Sequence, residues 1–202
     1  MQKPGLSAFA LLVLSACAST ATTDQVRIAN AIVFNLLPPA SFGESVLLTQ
    51  AATIEFGSGE ADLVFYTAIS PAGISIVGAL PNGTRLFNIS YDGQTIASDG
   101  PQELLSSITP EYFLADLQFS QWPLEQVESS LAAANPCFAN GSCILSETTD
   151  HLQRNLTRDG LAVISIQYDA VPHYRNSTSY IHHERGYRLQ VETLEVATLL
   201  QR

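Results

Sequence analysis

Apolar and polar residues alternate with a period of two through residues 45–98, the signature of strands with one buried face. Val46, Leu48, Ala52, Ile54 and Phe56 fall on one side, with Thr49, Thr53 and Glu55 opposite. Gly57-Ser58-Gly59 turns the chain into Asp62–Ser70, where Leu63, Phe65 and Ile69 share a face, and Pro71-Ala72-Gly73 turns it again into Ile74–Leu80. Asn82-Gly83, a dipeptide suited to the positive φ angles of a two-residue hairpin, leads into Thr84–Tyr91; Asp92-Gly93 repeats the device before Gln94–Ser98. The pattern predicts a meander of about five antiparallel strands.

The period then lengthens. From Pro110 to Ala134 the apolar residues Phe113, Leu114, Leu117, Leu124, Val127 and Leu131 recur at helical spacing. Pro123 divides this stretch into two helices, near 110–121 and 123–134, and Trp122, the single tryptophan, stands at the joint. Further strands are predicted at Ile144–Glu147, Leu152–Thr157, Leu161–Tyr168, Tyr180–His183 and Tyr187–Val196, with Asp159-Gly160 as a hairpin turn. Val26–Leu37 is apolar and fits a short helix or a first strand equally well. Strands on both sides of one helical insertion make an α+β chain, most simply a curved antiparallel sheet with helices packed in its concave face.

The amino terminus changes the picture. One basic residue, Lys3, precedes the apolar run Gly5–Leu14, too short for a stable membrane span and of signal-peptide form. The run ends in Leu14-Ser15-Ala16-Cys17, which resembles the bacterial lipoprotein signal, in which the cysteine is lipidated and becomes the new amino terminus. The expected organisation is a signal peptide over 1–16, lipidated Cys17 with a small, polar tether over 17–25, and a single domain over 26–202. Several acyl chains anchor a protein stably where one does not. Ala18 follows the cysteine, and by the same resemblance this favours the outer membrane, with the domain facing the periplasm.

Removing residues 1–16 from 202 leaves 186, enough for one domain with a substantial core. It also removes the only lysine, leaving eight arginines against nineteen acidic residues, a formal charge of −11. Such a chain has no basic patch for phosphates, which argues against nucleic-acid binding, and attachment to anionic lipid must come from the lipid anchor. The two remaining cysteines, Cys137 and Cys143, flank Asn140-Gly141. In an oxidising periplasm they are expected to form a disulfide around a tight turn. Five Asn-x-Ser/Thr triplets, at Asn82, Asn88, Asn140, Asn155 and Asn176, are chance products of a Ser/Thr/Asn-rich bacterial sequence.

Candidate chemistry is sparse. The chain lacks a Gly-x-Ser-x-Gly elbow, a His-Glu-x-x-His motif and a phosphate-cradling glycine loop. His182-His183-Glu184, with His173 nearby, is the densest cluster, but adjacent strand residues point to opposite faces and cannot readily share a metal. Asp92 reads as a turn residue before Gly93 and Asp116 as an exposed helix position, although a carboxylate pair for acid–base work would be sought there first. No metal, cofactor or enzymatic activity is expected. The notable supply is apolar: Phe65, Ile76, Phe87, Leu114, Leu117 and Trp122 face one another across sheet and helices. They fit a filled core, or the wall of a hollow that accepts an elongated apolar molecule.

The ordered motifs Leu37-Pro38-Pro39, Ile76–Phe87, Tyr91-Asp92-Gly93, Leu114–Gln118, Gln121–Leu124 and Arg185–Leu189 resemble those of a family of Gram-negative outer-membrane lipoproteins of unknown function. That family is similar in layout to the lipoprotein-localisation factors LolA and LolB. The resemblance implies an incomplete, half-open β-barrel with helices plugging its hollow side. It also implies association with enzymes that make aryl polyene lipids. The implied function is non-enzymatic binding of an acyl or polyene lipid in an apolar cavity, with transfer or localisation at the membrane. The implied partners are the lipid itself and a periplasmic carrier protein or lipid-exporting machinery, and a monomer is expected. The alternative is a structural or assembly lipoprotein with a filled core that acts through protein–protein contacts.

Overall fold

The computed structural model describes residues 20–21 and 25–199. The signal peptide and Cys17 lie outside the described residues. Strand β1 (Thr20–Ala21) is followed by a small hairpin, β2 (Gln25–Ala29) and β3 (Ile32–Asn35), and a 3-10 turn at Pro39–Phe42. The first meander comprises β4 (Val46–Phe56), β5 (Gly59–Ser70), β6 (Gly73–Ala79), β7 (Arg85–Tyr91) and β8 (Ile96–Asp99). Four helices come next: α1 (Gln102–Ile108), α2 (Pro110–Gln121), α3 (Leu124–Ala132) and α4 (Pro136–Ala139). A second meander, β9 (Cys143–Glu147), β10 (Gln153–Arg158), β11 (Leu161–Tyr168), β12 (Thr178–His182) and β13 (Tyr187–Thr198), completes the chain.

The two meanders and β1 form one eleven-stranded antiparallel sheet in the order β1-β8-β7-β6-β5-β4-β13-β12-β11-β10-β9, the meanders being joined by the long β13/β4 pairing. The outer strands β1 and β9 do not meet, so the barrel is open. Its curvature follows from the contacts of one helix. Phe113 of α2 packs on Phe87 of β7, while Arg154 of β10 reaches the carbonyls of Phe119 and Trp122 at the other end of α2. Seven strand spacings separate β7 from β10, roughly 34 Å if flat, whereas a helix of twelve residues spans about 18 Å. The sheet must therefore curl around α2.

The predicted meanders and the two central helices are present, with boundaries moved by a few residues. Pro110 sits in the first turn of α2, where no backbone N–H is missed, and Pro123 occupies the N-cap of α3. The helices α1 and α4 and the resolution of Val26–Leu37 into a hairpin are additions to the expected elements. Gly78 has a specific role in the sheet. It stands opposite Phe87 across β6/β7, and a Cβ there would lie 2.3 Å from the Phe87 ring. The missing side chain is what lets that ring lie flat over the inner face. Cys137 and Cys143 form a disulfide that ties α4 to the start of β9.

Candidate functional site

The hollow face of the sheet is where the predicted apolar residues gather. Phe65, Ile76, Phe87, Leu114 and Trp122 are all buried there, and Leu117 is half-buried. Phe65 and Phe87 stand 6.4 Å apart, and Phe113 meets both edge-on, at 5.3 and 5.6 Å. Sequence reasoning counted Phe113 among the helical residues but not among those of the cavity. Trp122 belongs to another part of the core: its ring packs on Phe42 at 4.7 Å, and its indole N–H donates to Ser41 Oγ. A seam of half-buried apolar side chains, Leu86, Leu104, Leu105, Ile108 and Leu117 of β7, α1 and α2, packs against the buried core to which Phe65 and Phe87 belong. The joint between α1 and α2 is Thr109, a non-glycine residue at φ 45°.

The β2–β3 hairpin fills the rest of the hollow. Val26, Ile28, Ile32, Phe34 and Leu36 are buried against the helices and sheet, yet the hairpin pairs with no strand of the main sheet. A lone two-stranded hairpin is marginal in water, and here side chains take the place of neighbouring strands. On the β3 edge, Gln118 of α2 accepts from Leu37 N–H at 2.7 Å and donates to Leu37 C=O at 2.8 Å. Asn135 does the same for Val33, at 2.7 and 2.6 Å. Ser130 and Asn35 exchange two further bonds between them. Residues 33, 35 and 37 expose one strand edge, and the Asn135 amide just before α4, the Ser130 hydroxyl of α3 and the Gln118 amide of α2 meet it in register. On the β2 edge, His182 donates through Nε2–H to Ile28 C=O at 2.7 Å, and Arg185 donates to Arg27 C=O at 2.6 Å. Arg158 and Glu184, themselves paired at 2.7 Å, hold the backbone of Asn30 at the hairpin tip.

Asp116 faces inward, which corrects the expectation of an exposed helix position. Its carboxyl accepts from the hydroxyls of Tyr180, at 2.7 Å, and Tyr187. The helix stripe is wider than its apolar residues indicate, because two tyrosines on β12 and β13 supply polar partners deep in the fold. Burial raises the Asp116 carboxyl to about 6, against the pull of the two hydroxyls and of Arg185. His182 moves the other way. Burial lowers it to about 4, and its Nδ1 accepts the Arg185 backbone N–H at 3.3 Å, consistent with a neutral ring. His183 points to the opposite face, as the strand period requires. Asp92 is the turn residue expected: its carboxylate accepts from the N–H groups of Gln94 and Thr95, which hold it below the usual range.

A pH prediction follows from the opposed shifts. The raised Asp116 contributes stability that is complete below its unfolded value of 3.8 and lost as pH climbs through about 6. The depressed His182 contributes stability that is complete above 6.5 and lost as pH falls through about 4. Between those limits the pair carries one proton in either state, on His182 when unfolded and on Asp116 when folded, so the two slopes cancel. Asp116→Asn is expected to make stability rise with pH relative to wild type, by at most about 1.4 kcal/mol per pH unit. His182→Gln is expected to make it fall. Urea unfolding across pH 4–6.5 reads both, and parallel profiles for the three proteins would refute the cancellation.

The C-terminal end of α2 carries a second buried polar group. Arg154 is 1% exposed and donates to Phe119 C=O at 2.6 Å and Trp122 C=O at 3.0 Å. Tyr168 OH donates to Ser120 C=O at 2.7 Å. These carbonyls lie at the helix end, where no backbone donor follows and a cation suits the dipole. Glu147 neutralises Arg154 at 2.6 Å; burial pushes its carboxyl up, but the His151 hydrogen bond and the arginine charge hold it below the usual range. Among the described residues no group of three or more His, Cys, Asp or Glu side chains is placed to hold a metal ion.

No protein with a curated description matches the chain. Among solved structures, a LolA-superfamily protein from Nitrosomonas europaea is similar at 9% identity and a TM-score of 0.39, over 82% of this chain and 91% of that one. A Vibrio parahaemolyticus domain described as an outer membrane lipoprotein-sorting protein is similar at 8% identity and a TM-score of 0.39, over 79% and 87%. The family comparison reaches further. Residues 47–195 match, from the second residue of β4 to the bulge in β13, which takes in both meanders and all four helices; on that match the chain belongs to the family described as "Protein of unknown function (DUF3261)".

Proposed function

We propose that the protein is an outer-membrane lipoprotein that holds an acyl or polyene lipid between its sheet and helices α1 and α2, and assists the transfer or localisation of that lipid. The observation that carries this reading is the seam of half-buried apolar side chains on the core that contains Phe65 and Phe87, with Phe113 of α2 edge-on to both rings. A chain inserted there replaces water contact by burial, without covalent chemistry. Each buried methylene contributes roughly 0.8 kcal/mol, so affinity should rise about fourfold per added carbon until the seam is full. In this reading residues 1–16 are removed, Cys17 carries the lipid, residues 17–25 form the tether, and 26–202 act as a monomeric domain facing the periplasm. A periplasmic carrier or lipid-exporting machinery would supply or receive the lipid.

Native mass spectrometry of the Cys17→Ser chain, exported to a bacterial periplasm, tests this. A co-purified adduct extractable as an acyl or polyene lipid, or fatty-acid binding that tightens with chain length, is the expected result. A clean apo mass, unchanged after incubation with fatty acids and phospholipids, would exclude it. That outcome favours the second reading, a structural lipoprotein acting through protein contacts. The side-chain seat that fixes the hairpin inside the hollow is the observation in its favour.

A further inference from the structure

We propose that the rim of the half-barrel where β8 passes into α1 is a membrane-docking surface, fitted to zwitterionic head groups over acyl chains. The inference rests on the reading that Cys17 carries the lipid, and β1 then limits where the anchor can be. Thr20 pairs with Ala97 and Ala21 with Ile96, which points the amino-terminal end of β1 toward Asp99 and the start of α1. Cys17 precedes Thr20 by three residues, at most about 11 Å of chain, whereas the eleven residues of β4 run roughly 35 Å. An anchor held so close to one end rests the domain on the bilayer through that rim or through the convex face of the sheet. The exposed side chains decide between them.

Because the sheet is antiparallel throughout, alternate connections gather at each end. The β4–β5, β6–β7, β10–β11 and β12–β13 turns share the rim with the β8–α1 joint, and β9 begins there. Of the eight large apolar side chains exposed among the described residues, four stand on it: Phe56, Leu80, Ile144 and Leu161, the last 74% exposed. The opposite end has Val171 alone. The other three, Leu47, Tyr66 and Leu194, lie on β4, β5 and β13, where exposed Glu192 and Glu195 stand outside any ion pair among the described residues. Charge divides the same way. Arg85–Asp99 and Arg158–Glu184, each at 2.7 Å, and Arg188–Glu55 at 3.7 Å are pairs of the rim. The opposite end exposes Asp92, Asp150 and Asp169 outside any such pair. Glu60, Asp62 and Asp159 keep the rim from net positive charge, so an anionic leaflet has no hold on it and the attraction comes from the apolar side chains. α1, which carries Leu104 and Leu105 of the seam, starts on the same rim, so docking brings the seam beside the bilayer.

The test uses the lipidated full chain, isotopically labelled, in phosphatidylcholine nanodiscs doped with a gadolinium-chelating lipid. Paramagnetic broadening falls steeply with distance from the head groups. Amides of residues 57–60, 82–84 and 159–161 should therefore lose their signals, while those of 72–73, 92–95 and 150–152 stay sharp. The Phe56→Ser/Leu80→Ser/Leu161→Ser variant changes only exposed side chains, so its unfolding midpoint should be unchanged, but the broadening should lose its selectivity and spread to the other end. Broadening centred on the opposite end or on the convex face, equal broadening over the whole wild-type surface, or an unchanged pattern in the triple variant would overturn the docking surface. Phosphatidylglycerol added to the nanodisc should not strengthen the pattern; strengthening would overturn the zwitterionic assignment. The mass of the amino-terminal peptide separates this inference from the reading beneath it. An unmodified Cys17 removes the anchor and the docking surface with it, whereas a lipidated Cys17 with broadening elsewhere removes the docking surface alone.

Discussion

Replacing Arg154 with alanine is expected to destabilise the domain by about 3–5 kcal/mol, the cost of stranding one member of a buried ion pair. Glu147 would be left with a 4%-exposed carboxylate supported only by His151. The carbonyls of Phe119 and Trp122 would lose their donor at the same time. Two companion variants separate the contributions. Arg154→Lys keeps the charge but cannot span Glu147 and two carbonyls with its single nitrogen, so it should lose roughly half as much. Arg154→Met with Glu147→Leu removes both charges and should recover part of the loss, because the remaining defect is the unpaired helix end. Chemical unfolding with the disulfide intact measures all three. An Arg154→Ala protein within about 1 kcal/mol of wild type would show that water satisfies this site.

The second large effect concerns the hairpin seat. Gln118→Met keeps the shape of the side chain and removes both bonds to Leu37; Asn135→Leu removes those to Val33 and one to Leu131 C=O. Each leaves a backbone N–H and C=O unpaired, and a loss of roughly 2–4 kcal/mol is expected for each variant. Ser130→Ala, which leaves only the Asn35 carbonyl without its hydroxyl donor, should lose about 1 kcal/mol. Hydrogen exchange gives a local readout: the Val33 and Leu37 amides should exchange faster in the cognate variant while β-sheet amides of β5 and β6 keep their protection. Gln118→Glu adds a sharper contrast, because a carboxylate still accepts from Leu37 N–H but faces Leu37 C=O without a donor. If Leu37 exchange is unaffected by Gln118→Met, the hairpin is held by its apolar side chains alone, and the amide seat is incidental.

If the hollow admits a lipid, these same bonds and the Asp116 cluster set how readily it opens. α2 carries Phe113 and Leu117 toward the seam, Gln118 toward the hairpin and Asp116 toward Tyr180 and Tyr187. Any movement of α2 away from the sheet disturbs all of them together.

Much of the fold was legible in the chain. Period-two alternation with Asn-Gly and Asp-Gly turns specifies both meanders and their buried faces, because side-chain period and turn conformation are local properties. Helical spacing and the prolines at 110 and 123 place α2 and α3 for the same reason. The proximity of Cys137 and Cys143 around a turn likewise foretold their bond. Only the tertiary structure decided that β13 pairs with β4 to join the meanders, since a twelve-residue strand has no local mark of its partner. It alone placed Val26–Leu37 as a hairpin inside the hollow, and it alone turned Gln118, Asn135 and Asp116 inward. In a hydrophobicity pattern those three are polar positions like any on a solvated face. What makes them interior is a backbone edge or a tyrosine hydroxyl 64 to 102 residues away in the chain, and that encounter exists only once the sheet has curled around α2.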